Sequence, residues 1–255
     1  ALTSLQSQLK DPWLIIDSGN MLFPEDKLPP GEAEAMKIGA QGVLIANSAM
    51  GYRFAGVAAN DLAAGPLFLQ TITVDKFTWL SLNVVSQNGE QLFSGYTVLS
   101  VGPLKVAVLA LTDHASVNNG GQGFTVLPWQ QVLPQAMNLL RPQADLTILL
   151  SNYSMAVNKE IARATPGLDL IFQSGHVMGN MQPIQINNAL ITQTGVKGKY
   201  LGQLDINWLG TGTWQKGSTF SHRFIPLSPN MEDEPAIDQI IKKTLQEMKK
   251  AGKSS

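Results

Sequence analysis

The sequence predicts a layered α/β fold of strands alternating with helices, and three observations carry that reading. Short, nearly continuous apolar runs at 106–111, 144–150 and 168–172 have the length and aliphatic make-up of strands buried on both faces. They alternate with segments of helical spacing at 127–140 and 154–164, the order expected of βα units around a sheet. Finally, 255 residues with 44% hydrophobic content can bury a large core, and a single domain over 1–255 is the expectation.

The remaining elements follow in order. Residues 1–9 read as a helix, and 13–17 as a strand that ends in the loop Ser18-Gly19-Asn20. Residues 32–50 are Ala-rich, with Met36, Val43, Leu44 and Met50 spaced for a helix packed on a sheet. Gly39 and Gly42 weaken that helix, and close approach of a neighbour is the reason expected for them. Residues 78–85 and 92–100 alternate as strands, with Asn88-Gly89 as the turn signal between them. The helix of 127–140 is expected to start near Pro128 and to be perturbed at Pro134. Thr165-Pro166-Gly167 closes the next helix, 154–164. Residues 189–192 form a further strand, and Gly195, Gly198 and Gly202 punctuate the way into another at 201–206.

A hairpin is expected over 208–224, turning at Gly210-Thr211-Gly212. The last helix is well signalled: Pro235 follows Glu232-Asp233-Glu234, and Lys242, Lys243, Lys249 and Lys250 crowd the far end, as the helix dipole favours. Its apolar face, Ile237, Ile240, Ile241, Leu245 and Met248, is expected to dock on the domain.

Composition narrows the functions. A net charge of −1 with 15% charged residues recommends neither nucleic acid nor an anionic membrane as partner. No apolar stretch reaches the length of a membrane-spanning helix. Without cysteine there is no disulfide, thiolate metal site or cysteine nucleophile. The chain starts at alanine with no signal peptide, as expected of a processed or trimmed chain.

Four loops at strand ends carry the chemistry, and together they resemble a known family. The run Leu168–Phe172 leads to Gly175-His176-Val177-Met178; Trp13-Leu14-Ile15-Ile16-Asp17 leads to Gly19-Asn20; Met50-Gly51-Tyr52-Arg53-Phe54 leads to Asn60-Asp61; and Ala144-Asp145-Leu146 leads to Ser151-Asn152. In order and spacing these resemble the calcineurin-like metallophosphoesterase domain of the 5′-nucleotidase family, a four-layer sandwich, and a strand at 102–112 matches one that carries no ligand. In that family the loop at 175–178 reads Gly-His-X-His, and the positions of Asn20, Asp61 and Asn152 hold a bridging aspartate, a catalytic histidine and a histidine ligand. Only Asn60 and His176 keep the family residue. The resemblance implies that Asn20, Asn60, Asn152 and His176 meet at the carboxyl ends of neighbouring strands.

The substitutions alter the chemistry. Two divalent cations about 3.5–4 Å apart need bridging anions between them. Asn20 supplies a neutral amide there, and Met178 a soft thioether poorly matched to zinc or manganese. The family's opening Asp-X-His has no counterpart in these residues. At Asn20 and Asn152 the plainer reading, turn-forming asparagines at strand ends, is preferred, while Asn60 stays open. His176 alone reads as a structural or exposed histidine, and Asp61 as a weak candidate for general acid or lone metal ligand. Other constellations are weaker still. Asp113-His114 and Ser116 lie close in sequence without a nucleophile elbow, so a surface loop is the reading. Gly120-Gly121-Gln122-Gly123 lacks the Lys-Ser/Thr of a phosphate-binding loop, and His222 is a structural or exposed strand residue.

The expectation is therefore a degenerate phosphoesterase domain without a metal pair or cofactor, serving an exported, periplasmic or extracellular protein as a binding or structural module. A nucleotide or phosphoester is a candidate ligand. The alternative is a working zinc- or manganese-dependent 5′-nucleotidase whose missing ligands, and a second nucleotide-binding domain, lie outside this chain.

Overall fold

The structure is a computed structural model that describes residues 2–117, 123–175, 179–210, 214–228 and 230–252. Its centre is a mixed six-stranded sheet. The strands are β4 (Tyr96–Val101), β5 (Leu104–Leu111), β7 (Leu146–Ser151), β8 (Leu170–Gln173), β9 (Met181–Ile186) and β10 (Ala189–Gln193). They lie in the order β4-β5-β7-β8-β10-β9. β5, β7, β8 and β10 run parallel, and the antiparallel β4 and β9 close the edges.

The apolar runs are buried on both faces because both faces are covered. Ala107, Leu109 and Leu111 point to one side, where α4 (Trp129–Leu140) and α5 (Met155–Ala164) pack on them through Leu133, Met137, Leu140 and Ile161. Val106, Val108 and Ala110 point the other way, toward Phe54, Leu80 and Phe220. Those three belong to small strand pairs: β1 (Phe54–Gly56) with β2 (Thr78–Leu80), parallel, and β11 (Tyr200–Ile206) with β12 (Phe220–Pro226), antiparallel. A third pair joins β3 (Val84–Ser86) to β6 (Phe124–Val126). Beyond β1 and β2 lies α2 (Ala33–Ala49), whose Ala40 and Leu44 share a core with Ala55, Val57 and Trp79. The layers thus run helices, sheet, small strand pairs, helix, with α6 (Pro235–Ala251) packed on α2.

The two glycines of α2 mark where α6 crosses. A Cβ on Gly42 would lie 2.3 Å from Thr244 Oγ1, and one on Gly39 would lie 3.2 Å from the Met248 side chain. The expected close neighbour is α6 itself.

Several expectations are corrected. The hairpin lies over 200–226, not 208–224: β11 pairs with β12 from Tyr200↔Pro226 to Ile206↔Phe220, and Thr211 and Gly212 of the expected turn lie outside the described residues. Trp208 and Trp214, between the two strands, meet with their rings tilted by 47° and centroids 5.8 Å apart instead of continuing a ladder. Residues 13–16 form no ladder, and only Asp17 bridges to Ala55. The expected strand 78–85 splits into β2 and β3 at Ser81-Leu82-Asn83, where the Asn83 amide bonds the backbone of Thr112 and Leu127. The turn at Asn88-Gly89 does form, with Gly89 at φ 83°, but it folds β3 onto Gln91. Helix α4 runs through Pro134 without a break. β9 escapes sequence reading because Pro183 lowers its strand signal, and an edge strand is where such a proline is tolerated.

Gly42→Ala is expected to destabilise the domain by about 1–3 kcal/mol in urea unfolding, through overpacking against Thr244. This loss opposes the helix-propensity gain of about 1 kcal/mol that alanine brings at an open helix site. Thr244→Gly in the same background should recover part of the loss. A Gly42→Ala protein more stable than the parent would contradict the close crossing of α2 and α6.

Candidate functional site

Four strand-end loops converge at one end of the molecule. The Asp17-Ser18 backbone lies against β1 through Gly56 N–H, which donates to the Asp17 carbonyl at 3.0 Å. Ser18 Oγ donates to the Phe172 carbonyl at 2.7 Å, and Ser174 Oγ donates back to the Ser18 carbonyl at 3.0 Å, latching this loop to the end of β8. Two glycines make the approach possible. A Cβ on Gly19 would meet Gly56 O and Ala58 Cβ at 2.7 Å, and one on Gly175 would sit 1.6 Å from the Asn152 carbonyl oxygen.

Between these loops lies a cleft of about 250 Å³, lined by Asn20, Asp26, Ala59, Asn60, Ser116, Asn152 and Gly175. Three of the four residues expected to meet do so: Asn20, Asn60 and Asn152 share this wall. The fourth, His176, lies outside the described residues, as do Val177 and Met178.

Each asparagine is already engaged. Asn20 sits at φ 63°, a left-handed conformation that asparagine tolerates, and its Oδ1 accepts the Asn60 N–H at 3.0 Å. Asn60 Nδ2 donates to the Pro24 carbonyl at 2.9 Å. Asn152 Oδ1 accepts the Asp113 N–H, which fixes the amide so that Nδ2 is its other arm. That Nδ2 is buried and has no hydrogen-bond partner among the described residues. A buried donor left unpaired costs about 1–3 kcal/mol, so its place in a cleft wall is a functional signal.

Asp61 does not line the cleft. It is fully buried, and its carboxylate accepts four backbone N–H groups: Asn20 at 2.7 Å, Met21 at 2.9 Å, and Leu22 and Ala58 at 3.0 Å. Burial pushes its pKa up to about 6; the backbone donors pull the other way, and nearby Asp17 adds to the rise. Burial likewise raises the Asp17 carboxyl against the pull of the Gly19 N–H.

Asp113, His114 and Ser116 form no hydrolytic triad. Ser116 Oγ donates to Asp113 Oδ2 at 2.7 Å, while His114 Nδ1 bonds the buried Tyr153 hydroxyl at 3.1 Å. His222 lies far along the chain on β12, its Nε2 3.4 Å from Thr192 Oγ1, and burial lowers its pKa. Sequence reading did not single out Asp26, because an isolated aspartate in a polar loop carries no spacing signal; Ser116 was weighed only as a nucleophile.

The donor set of the described residues does not fit a pair of divalent metal ions. Among the described residues no group of three or more histidine, aspartate or glutamate side chains could hold one. The amide oxygens of Asn20 and Asn152 accept backbone N–H groups, and the Asp61 carboxylate is turned into the backbone. Anionic bridging ligands are what make two close cations tolerable, and among the described lining residues Asp26 is the one carboxylate.

Asp61→Asn is expected to destabilise the domain, because an amide cannot accept all four N–H groups. The loss should also depend on pH. A carboxyl whose folded pKa is raised to about 6 from 3.8 binds its proton more tightly in the folded state. Its contribution is therefore full below about pH 4 and is lost as pH rises through 6. The stability difference between parent and variant should shrink over that window, by at most about 1.4 kcal/mol per pH unit. A difference that grows from pH 4 to 6 would contradict the raised pKa.

No family model matches the chain, and no curated protein matches it in sequence. Solved structures do. Sulfate thiohydrolase SoxB from Thermus thermophilus aligns with a TM-score of 0.76 at 18% identity over 92% of this chain and 42% of that one. A 5′-nucleotidase precursor from Thermus thermophilus aligns at 0.76 with 17% identity, over 96% of this chain and 51% of that one. The calcineurin-like phosphoesterase YfkN from Bacillus subtilis aligns at 0.74 and 17% identity, over 99% of this chain and 89% of that structure. This chain thus spans about half the length, or less, of the first two. At these identities the likeness is one of fold: the chain has the calcineurin-like phosphoesterase fold shared by the 5′-nucleotidases.

Proposed function

We propose that this domain is a binding module on a phosphoesterase frame, without a dinuclear metal centre and without phosphoester hydrolysis, and that it serves an exported protein. One observation carries the reading. The side-chain oxygens of Asn20 and Asn152, at two positions matched to metal ligands, accept backbone N–H groups of the neighbouring loops. Those oxygens hold the loops together, and recruiting them for metal would break the contacts that shape the cleft. Asp61, matched to the family's catalytic histidine, serves in this reading as a structural clasp and not as an acid. The cleft keeps its form, with an open wall and an unpaired amide donor, which suits binding without turnover. Export rests on the family resemblance. It is compatible with the described helices, none of which is long and apolar enough to cross a membrane.

The test is metal content and turnover of the purified chain. Elemental analysis after purification without chelator should find far fewer than two transition-metal ions per chain. Hydrolysis of AMP and of bis-p-nitrophenyl phosphate should stay at background with added manganese. Manganese-dependent turnover that disappears in the Asn60→Ala, His176→Ala double variant would overturn the proposal.

A further inference from the structure

We infer that the cleft recognises the hydroxyl groups of a small uncharged polyol, such as a free pentose or the ribose of a nucleoside, in preference to a phosphoryl group. The inference rests on the reading of the domain as a metal-free binding module and adds the ligand class. Three features of the cleft point there.

The first is charge. Among the described residues lining the cleft, Asp26 alone is ionisable, and it is an acid. A phosphate dianion entering a metal-free cleft would meet that carboxylate with no described cationic side chain in the wall to offset it. Phosphate recognition relies on arginine, lysine, a metal or a convergent set of backbone N–H groups. Here the backbone N–H groups of Asn20, Met21, Leu22 and Ala58 already point at Asp61.

The second is the mixture of donors and acceptors. Asn152 Nδ2 is a buried donor that lacks a partner among the described residues, in a residue only 3% exposed. Asn60 uses Nδ2 on Pro24, which leaves Oδ1 as an acceptor; Asn20 uses Oδ1 on Asn60, which leaves Nδ2 as a donor. Ser116 Oγ, whose proton goes to Asp113, and the Asp26 carboxylate add acceptors. A hydroxyl both donates and accepts, so a vicinal diol can meet such a wall from both sides. A phosphate dianion only accepts, and would leave Asn60 Oδ1 and Asp26 facing negative charge.

The third is size. A cleft of about 250 Å³ lies below the roughly 300–1,000 Å³ of pockets that enclose drug-sized ligands, and suits a single sugar ring.

The experiment is calorimetric titration of the metal-free chain with four probes: D-ribose, adenosine, AMP and inorganic phosphate. Saturable binding of ribose or adenosine, tighter than AMP and with phosphate silent, is expected; ribose against adenosine tells a free sugar from a nucleoside. Asn152→Leu should weaken sugar binding by about tenfold, the loss of one buried hydrogen bond. If that variant folds poorly, Asp26→Lys serves instead: Asp26 lies at the half-buried rim, and lysine there should reverse the preference toward phosphate. Tighter binding of AMP or phosphate by the parent chain, no binding of either sugar probe, or an unchanged preference in Asp26→Lys would each overturn the inference. Manganese-dependent turnover in the same preparation would sink the binding-module reading. Phosphate preference without metal or turnover would sink only the polyol assignment.

Discussion

The site depends on one buried carboxylate. Asp61 stands on the short 3₁₀ turn Asn60–Ala64 and reaches across to the loop after Asp17, taking the N–H groups of Asn20, Met21 and Leu22 together with that of Ala58. Three consecutive N–H groups that converge on one point need a chain bent through the left-handed region, and Gly19 and Asn20 supply it at φ 103° and 63°. Without an acceptor at that focus the loop would carry several buried, unpaired donors. The wall formed by Asn20 and Asn60 is therefore a consequence of Asp61, though Asp61 never touches the cleft.

That arrangement explains how neutral amides can hold the end of this fold. Charged ligands clustered around metal ions are tied together by the ions, and uncharged side chains need another tie. Here the tie is backbone hydrogen bonding: Asn20 to Asn60, Asn152 to Asp113, and the Ser18–Ser174 exchange across β8. Behind them an amide chain continues the scheme. Ser151 donates to Asn158, which donates to Gln173, and Gln173 donates to the Gly175 carbonyl and the Gln193 side chain. Satisfied networks of this kind are rigid, which makes the amide arm of Asn152, unpaired among the described residues, conspicuous beside them.

Much of the fold was legible in the sequence, and the failures have physical causes. The apolar runs at 106–111 and 146–150 could only be central strands, and Gly39 and Gly42 foretold a close neighbour without naming α6. The hairpin was misplaced because the glycines at 210 and 212 outweighed the cross-strand partners of β11, which lie further along the chain. At the site, it was the family resemblance that implied one wall for Asn20, Asn60 and Asn152. The part played by Asp61 was illegible, since its backbone partners lie about forty residues away and nothing in a one-letter string records which way a carboxylate turns.

The substitutions at positions 20 and 61 are best understood together. Asn20 donates its backbone N–H to Asp61 at 2.7 Å, so the two residues are in direct contact. A carboxylate at position 20, as the family has it, would add a second negative charge beside one that burial and Asp17 already push toward protonation. A second charge near a buried carboxylate would raise a pKa or open the loop. An amide at position 20 keeps the Oδ1 acceptor that Asn60 needs while removing the charge that Asp61 could not tolerate. Asn20 is thus a neutral neighbour whose backbone N–H ties its loop to the buried aspartate at position 61. An acid at position 20 would disturb that structural fit.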